Sequence, residues 1–382
     1  MVDQVEQIVA MLRELTNVGR VCEVADRRIA EGDAAFLAEL GIALDERYGS
    51  TAARTWQYRR VFDHLLRLLT ITPGRKNVEL ALRLVAAARS GAPERDRYTA
   101  SLLASAHTPK DLAVVFAGGG TPGDALEELR ACLVHEMVLR GVAVTRERTI
   151  APWASSPHWR HLQLGWLPLS LSGMEQAPAM PRYSIRGSSC PLPFGPSEER
   201  DLQRGRASTA RVPAARETTT SSVASAMAVA VANWAEESNG RIEARVFDFA
   251  EPVDAQVVPD MLAAAGLACL SGLTRQSRFS ISSCPPAQPW RVLFAAASTG
   301  GAYNQGCFGA YGRLAAWRSL AGISGAPEGA SPAEVERQVQ DCDWFRFDAD
   351  TDWFEQVAWD LGLAAVRPGR QRLAVLAATD TD

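Results

Sequence analysis

The residues best suited to chemistry lie in a glycine-rich segment, residues 298–312. An apolar segment at 290–297, interrupted only by Arg291, precedes it, and a helix-like run at 313–321 follows it. We expect the apolar run to form a buried strand that passes through a glycine-rich turn into a helix. Such a turn can direct backbone N–H groups at a ligand. The segment is therefore the first candidate binding site.

Polar side chains in and beside this segment are candidates for ligand contacts. They are Tyr303, Asn304, Gln305 and Arg313. The segment is not a Walker A motif, because no Gly-Lys-Ser/Thr follows it. Its glycines at 306, 309 and 312 give GxxGxxG instead of the GxGxxG of dinucleotide-binding folds. The alternative is a turn whose glycines let the helix pack close to its sheet.

Cys307 is a further candidate because it lies just before the expected helix, where a helix N-terminus lowers the pKa of a thiol. Gln305 could then donate a hydrogen bond to an oxyanion. A thiol nucleophile also needs a base, and every histidine lies far upstream. A buried, unreactive cysteine is therefore the favoured interpretation.

An acidic turn near the C-terminus is the second candidate site. Asp348, Asp350 and Asp352 alternate, so on a strand they would share one face, which like charges tolerate only in solvent or around a cation. An EF-hand is excluded, because Trp353 stands where glycine is required and Trp359 where glutamate is required. The alternative is an exposed turn whose acids favour the start of a helix at 353–361.

His158 and His161 form a His-x-x-His motif, a spacing that suits a metal site. On a helix both rings could bind a metal, with Cys190 as a third ligand. Pro157 and the neighbouring tryptophan favour a packed turn instead. We therefore predict no metal site, and the sequence identifies no cofactor.

Length and charge limit the class of protein. At 382 residues the chain is long enough for two domains. Its net charge is −4 and no run of five like charges occurs, so no basic face for nucleic acid is expected. The longest apolar run, at 223–235, is broken by Ser225 and Asn233 and is too short to span a membrane.

The N-terminal residues and the cysteines indicate the cellular compartment of the protein. The N-terminus is acidic and has no apolar signal-peptide core. The seven cysteines are scattered without CxxC spacing, which is typical of reduced thiols. We therefore expect a cytoplasmic protein. Its only two lysines, Lys76 and Lys110, leave little scope for Schiff-base chemistry.

Residues 1–141 are predicted to form an all-helical domain of stacked helical hairpins, because apolar residues recur there at helical spacing. Thr108-Pro109 and Thr121-Pro122 each predict a capped helix start. Glycines at 118–120 and Gly141 predict helix ends. No fixed repeat period is present, which argues against a true repeat array.

Residues 142–382 are predicted to form a mixed α/β domain, which makes the whole chain α+β. Within it, residues 187–217 are rich in Ser, Pro, Gly and Arg and read as a surface excursion or linker. Strands are expected at 142–146, 241–249, 278–282, 290–297, 344–347 and 373–377. Helices are expected at 221–237, 257–265, 313–321, from Ser331 onwards, and at 353–361.

The aromatic residues of the C-terminal part have two interpretations. We expect core positions for Trp344, Phe345, Phe347, Trp353, Phe354 and Trp359. Trp153, Trp159 and Trp166 are expected at a seam between the domains.

Two segments resemble a known family. The first is Gly-Gly-Ala-Tyr at 300–303 with Phe-Gly-Ala-Tyr-Gly-Arg-Leu-Ala-Ala-Trp at 308–317, and the second is 353–362 with the ending at 376–382. Together they resemble an uncharacterised actinobacterial family, domain of unknown function 6183, most clearly over roughly the last hundred residues. The resemblance implies a cytoplasmic actinobacterial protein and transfers no catalytic residue.

Two functions follow from these patterns. The first is a ligand- or protein-binding module, in which the helical part offers a concave surface and the loop 298–312 recognises a partner. The second is a small-molecule enzyme of specialised metabolism, with a pocket between that loop, the acidic turn 348–355 and the tryptophan seam. The absence of a complete catalytic constellation favours the first.

Overall fold

The computed structural model describes residues 2–50, 55–88, 93–117, 126–175, 178–184, 187–189, 200–202, 213–274, 277–302, 304–354 and 359–380. The chain divides into two compact units. The first contains residues 1–165 and 181–189, and the second contains residues 166–180 and 190–382. This division lies further along the chain than the change of sequence pattern after residue 141.

Among the residues that the structure describes, the first unit contains helices and one short hairpin. Its helices are α1 (Val2–Met11), α2 (Gly19–Ala30), α3 (Ala34–Tyr48), α4 (Trp56–Ile71), α5 (Arg75–Ala87), α6 (Pro93–Ala106), α7 (Pro109–Leu112), α8 (Glu127–Leu139) and α9 (Ala151–Ala154). The hairpin joins β1 (Arg182–Ser184) to β2 (Gly187–Ser189).

Side-chain caps define several of these helix starts. Asp33 accepts a hydrogen bond from the Phe36 amide at the start of α3, and Thr55 accepts one from the Tyr58 amide at the start of α4. The predicted cap at Thr108 is confirmed, because its hydroxyl accepts from the Asp111 amide. The second predicted start, at Thr121-Pro122, and the glycines 118–120 lie outside the described residues.

Residues 142–146 do not form the predicted strand. Gly141 ends α8 with φ +78°, as predicted, and the Val142 amide returns to the Met137 carbonyl. Val144–Arg146 then form a 3-10 turn. The alternating valines of this segment suggested a strand, but its backbone groups form local hydrogen bonds. Among the described residues no neighbouring strand pairs with it.

Residues 142–165 belong to the first unit, and several of them pack on α8. The fully buried His135 bonds through Nε2 to the Leu164 carbonyl at 2.9 Å, and its ring lies 5.4 Å from that of Trp159. Trp159 in turn packs on Trp153 at 5.2 Å. These aromatic contacts form a core that the change in sequence pattern does not indicate.

The second unit is built around one antiparallel sheet. Its strands, among the described residues, are β3 (Arg200–Leu202), β4 (Ala215–Glu217), β5 (Arg241–Phe249), β6 (Phe279–Cys284), β7 (Asp343–Ala349), β8 (Trp359–Val366) and β9 (Arg372–Asp380), in the order β3-β6-β7-β8-β9-β5-β4. Its helices are α10 (Ser221–Ala228), α11 (Ala232–Glu237), α12 (Val258–Ala264), α13 (Ala287–Thr299), α14 (Phe308–Ser324) and α15 (Pro332–Gln340).

Both faces of the sheet are covered. On one face Phe345, Phe347 and Val375 pack against α12 and the turns around it. On the other face Trp344 donates its indole N–H to the Val339 carbonyl of α15, while α14 contacts β8 and β9 and α10 contacts β5. The central strands β8 and β9 are therefore buried on both sides, and the unit has three layers.

The α+β prediction is confirmed, and most of the expected elements of the second unit exist. Ser331 forms the predicted cap of α15 as a full capping box with Glu334. The predicted helix at 221–237 is interrupted and forms α10 and α11. Trp344, Phe345, Phe347 and Phe354 are buried as expected, and most of the excursion 187–217 lies outside the described residues.

Two expected elements of this unit have the wrong type. Residues 290–297 belong to the helix α13. Periodicity cannot assign so short an apolar segment, and Ala295–Ala297 favour a helix. The expected helix at 353–361 is wrong where the structure describes it, since Trp353 lies in a turn and residues 359–361 begin β8, while residues 355–358 lie outside the described ranges. There, pairing with β7 and β9 outweighs local preference.

The helices α13 and α14 approach closely at Gly312. A Cβ atom added at Gly312 would lie 2.8 Å from the Cα of Ser298, inside the contact distance of real Cβ atoms. The glycine at this position is therefore a requirement of packing between the two helices.

We predict that Gly312→Ala destabilises the protein. In an open helix this substitution stabilises by about 1 kcal/mol, whereas overpacking at Gly312 should cost about 1–3 kcal/mol. Urea unfolding followed by circular dichroism gives the sign. Ser225→Ala, on the exposed side of α10, is the control and should be neutral or slightly stabilising. A stabilised Gly312→Ala variant would contradict the close approach.

Candidate functional site

The glycine-rich segment forms a loop between two helices, and its backbone amides are bonded within the protein. The Gly300 amide donates to the Ala296 carbonyl at 3.1 Å, and the Cys307 amide donates to the Ala297 carbonyl at 2.8 Å. The Gly301 amide donates to Asn304 Oδ1 at 2.8 Å, and the Ala302 amide donates to Asp380 Oδ2 at 2.7 Å. These amides are therefore not directed at a ligand, contrary to the expectation from sequence.

The centre of this loop is the carboxylate of Asp380, at the end of β9, which is fully buried. Besides the Ala302 amide it accepts hydrogen bonds from the Ser238 hydroxyl at 2.7 Å and from Asn304 Nδ2 at 3.3 Å. A Cβ added at Gly301 would overlap this carboxylate. The glycine is present so that the loop can wrap around Asp380.

The predicted ligand contacts of this loop have different environments. Asn304 is committed to the loop, since its Oδ1 also accepts from Asn233 Nδ2 at 3.0 Å. Gln305 is exposed, and its carbonyl accepts from the same Asn233. Cys307 is half-buried at the cap of α14 and forms no disulfide within the described part of the chain. Tyr303 lies outside the described residues.

Arg313 is fully buried and belongs to an ion pair with Glu175, which is also fully buried. Nε donates to Glu175 Oε1 at 2.6 Å and Nη2 donates to Oε2 at 2.7 Å, so the pair is bidentate. Nη1 and Nη2 also donate to the carbonyls of Pro168 and Ser170. Trp317 Nε1 donates to Glu175 Oε1 at 2.7 Å. This arrangement gives Arg313 a structural role.

The acidic turn does not gather its three carboxylates on one face. Asp348 lies on β7 and pairs with Arg278 at 3.0 Å. Asp350 and Asp352 are exposed, and the Asp352 carbonyl accepts from Arg241 Nη2 at 3.2 Å. No group of three or more metal-ligating side chains occurs among the described residues.

The His-x-x-His motif lies in a turn. Residues 159–161 form a short 3-10 helix, and His158 bonds through Nε2 to Glu127 Oε1. Trp159 between the two histidines is buried in the core of the first unit. The packed-turn interpretation therefore fits the structure, while Cys190 lies outside the described residues.

A cavity of about 840 Å³ lies within the second unit, away from the predicted residues. Its walls come from α10, α14, the start of α15, and the loop at 325–330 that joins α14 to α15. Trp166 and Arg367 complete the walls. None of the predicted site residues lines it. We call it the α10–α14 cavity.

Glycines and two long side chains give the α10–α14 cavity its shape. A Cβ added at Gly322 would lie 2.7 Å from the Ala226 carbonyl carbon, so α10 and α14 touch at this point. Trp166 is held by its indole N–H, which donates to the Ala330 carbonyl at 3.2 Å, and by edge contact with Trp317 at 6.0 Å.

Arg367 closes the end of α14. Its Nε and Nη2 donate to the carbonyls of Ile323 and Gly322, each at 2.9 Å, and so cap the last turn of the helix. Burial lowers the pKa of Arg367, although an arginine remains charged at neutral pH. The side chain thus places a positive charge at the cavity wall.

Sequence reasoning missed the α10–α14 cavity because its residues lie on elements far apart in the chain. The available signal was the set of glycines at 322, 325 and 329 after a long helix. These glycines also fit an ordinary helix end, and Gly325 does end α14 in the left-handed conformation at φ +76°. Only the packing of α10 on α14 distinguishes the two interpretations.

A second electrostatic feature lies in the first unit, at the adjoining starts of α6 and α8. Burial, together with the nearby Glu128 carboxylate, raises the pKa of Asp96 to about 6 against the opposing effect of Arg95 and Arg97. Cys132 lies on α8 one turn after Glu128 and is fully buried. Burial raises the pKa of its thiol well above the usual value. A thiol in this state is unreactive.

The chain belongs to a family of unknown function, DUF6183, whose family model matches residues 19–382. The resemblance found in the last hundred residues is thus confirmed, and it extends over most of the chain. No curated protein and no solved structure matches this sequence. Among the described residues no helix has the length and apolar character needed to cross a membrane.

We predict that Glu175→Gln strongly destabilises the protein, by about 3–5 kcal/mol, because it leaves the Arg313 charge buried without a counter-charge. Chemical denaturation measures the change. Arg278→Gln breaks the exposed pair with Asp348 and should cost only about 0–1 kcal/mol. Equal effects of the two substitutions would show that burial of the Glu175 pair is not what matters.

We predict that Asp96→Asn stabilises the protein at pH 7 more than at pH 4. The pKa of Asp96 is raised in the folded state, so its favourable contribution exists below pH 3.8 and is lost as the pH rises through about 6. The neutral asparagine does not undergo this loss. Thermal unfolding midpoints at a series of pH values test the prediction.

Asp111→Asn provides the control of opposite sign. A hydrogen bond from Thr108 lowers the pKa of Asp111, so its contribution is present at neutral pH and is lost as the pH falls. The asparagine variant should therefore be less stable than the wild type at pH 7, with a difference that shrinks in acid. Parallel pH curves for both variants would contradict the assignment.

Proposed function

We propose that this member of the family is a small-molecule-binding module whose ligand occupies the α10–α14 cavity. The observation that carries the proposal is a cavity of ligand size within a single compact unit. Its volume of about 840 Å³ lies in the range of about 300–1,000 Å³ that is usual for small-molecule sites.

The chemistry of the walls supports the proposal. Most of the wall is apolar, and Val223, Ala226, Val229 and Val335 contribute side chains to it. The polar groups are few and come from Arg318, Arg367, Glu328 and Ser222. Apolar walls with a few placed polar groups are typical of sites that bind most of a ligand's surface and orient it through one end.

The walls are also held in place before a ligand arrives. The ends of α14, the Trp166 indole and the Arg367 guanidinium are each fixed by hydrogen bonds to backbone carbonyls. A preformed site loses little conformational entropy when it binds, which raises affinity. This rigidity favours binding over a purely packing role for the cavity.

The proposal keeps the binding function expected from sequence but moves the site away from the loop 298–312. In that loop the amides and the Asn304 side chain are bonded to other parts of the same unit. The enzyme alternative has less support for the same reason, and Asp348 of the acidic turn is already paired with Arg278. A cytoplasmic location and an actinobacterial source remain expectations from sequence.

We predict that Ala226→Trp abolishes ligand binding, because the larger side chain fills the cavity from an exposed position on α10. The probe is 1-anilinonaphthalene-8-sulfonate, whose fluorescence rises in an apolar site. Ser225→Trp adds the same side chain at the neighbouring exposed position, which does not line the cavity, and should leave binding unchanged.

Circular dichroism must show that both variants are folded. Binding that is equally strong in the wild type and in Ala226→Trp would place the probe elsewhere and reject the α10–α14 cavity as the site. Binding lost in both variants would mean that the α10 helix, rather than the cavity, is responsible.

A further inference from the structure

We infer that the ligand of the α10–α14 cavity is an amphipathic oxyanion, an apolar body that carries a carboxylate or phosphate group. The inference rests on the proposed function and adds the chemical class of the ligand. It follows from the two guanidinium groups in an otherwise apolar wall, and from how little of their hydrogen-bonding capacity the protein itself uses.

The first guanidinium belongs to Arg318. It lies on α14, lines the cavity and is exposed. In the part of the chain that the structure describes, its side chain has no ion pair and no hydrogen bond. Other arginines of the unit, such as Arg313, Arg278 and Arg372, are paired with carboxylates. Arg318 is thus a charge at the cavity without a counter-charge among the residues that the structure describes.

The second guanidinium belongs to Arg367 and is already oriented. Its Nε and Nη2 bond to carbonyls of α14, which leaves Nη1 with no partner among the described residues. The neighbouring Gly325 matters here, because a Cβ added there would lie 2.8 Å from Nη1. Glycine at this position keeps a side chain from covering the guanidinium.

The remaining charges do not cancel these two. Glu328 lines the cavity from the loop 325–330, but it is exposed and makes no ion pair with either arginine within the described ranges. An exposed carboxylate is screened by water, whereas the half-buried guanidinium of Arg367 is screened less. Ser222 lies in the first turn of α10, where the helix dipole is positive. The wall is therefore electropositive.

Neutral, cationic and anionic ligands would interact differently with the guanidinium groups of Arg318 and Arg367. A neutral apolar ligand would displace water from the guanidinium groups without replacing its hydrogen bonds, which is unfavourable. A cation would be repelled. A carboxylate or phosphate accepts the free N–H groups, and the planar guanidinium fits both anions. The apolar wall then contacts the rest of the ligand.

The test compares four naphthalene compounds by titration calorimetry. Two are anions, 1-naphthylacetate and 1-naphthyl phosphate, and the others are the neutral 2-(1-naphthyl)ethanol and the cationic 2-(1-naphthyl)ethylamine. We expect both anions to bind about tenfold or more tightly than the alcohol, and the amine to bind most weakly, since charge-assisted hydrogen bonds are the strong ones. The tighter of the two anions identifies the headgroup.

Arg318→Gln should weaken both anions by about tenfold and leave the alcohol unchanged. Arg337→Gln removes an exposed arginine of α15 that does not line the cavity, and should leave all four affinities unchanged. Higher salt should reduce the affinities of the two anions, which the arginines attract, and leave the affinity of the alcohol unchanged. Arg367 is not substituted because it also caps α14.

Failure of this inference and failure of the proposed function look different. Binding of the alcohol as tight as that of the anions, with no effect of Arg318→Gln, would overturn the oxyanion class while any loss of binding in Ala226→Trp would still support the cavity. If no compound shows binding that Ala226→Trp removes, the proposed function itself is rejected and the inference with it.

Discussion

The second unit depends on the buried ion pair between Glu175 and Arg313. Both side chains are withdrawn from water, which is unfavourable for each charge alone, and the bidentate geometry with the extra donors offsets that loss. The Trp317 indole and two backbone carbonyls complete the hydrogen bonds of the pair. The result is that residues 166–175, which have no regular secondary structure beyond one turn at their start, are fixed to α14. Trp166, at the beginning of this segment, can therefore serve as a wall of the α10–α14 cavity.

The helix α14 connects the parts of this unit. At one end it meets α13 at Gly312, and near the other it meets α10 at Gly322, in both cases so closely that a Cβ would not fit. Between them Ser319 accepts a buried hydrogen bond from the Ala230 amide at 2.9 Å. The cavity exists because α10 and α14 touch at Gly322 and separate on either side of it. Its charge comes from Arg318 on α14 and from Arg367, which holds the helix end. The packing of one helix thus determines both the shape of the proposed site and its electrostatic character.

The glycine-rich loop shows why a ligand-binding pattern and a packing pattern are hard to separate in a sequence. Gly301 has to lack a side chain because the Asp380 carboxylate lies against it, and Asp380 comes from a strand some eighty residues later in the chain. An amide aimed at a ligand and an amide aimed at a distant carboxylate need the same local sequence. The sequence therefore identified a loop with organised amides, but the partner of those amides was a side chain of the same protein. Arg313 is a similar case, since Glu175 is equally remote from it in sequence.

The α+β class, the helical first part and the strands around 241–249 and 373–377 can be derived from the sequence alone, because they depend on local periodicity. The helix starts at Thr108 and Ser331 can also be derived, because they depend on side-chain caps. Periodicity did not settle the type of the segment at 290–297, whose alanines favour the helix that forms. Residues 359–361 belong to a strand because they pair with β9, which only the tertiary structure shows. The α10–α14 cavity was likewise set by tertiary structure, because a cavity is the space between elements and has no sequence of its own. Residues 166, 226, 318 and 367 line one wall surface only after α10, α14 and β8 have packed together.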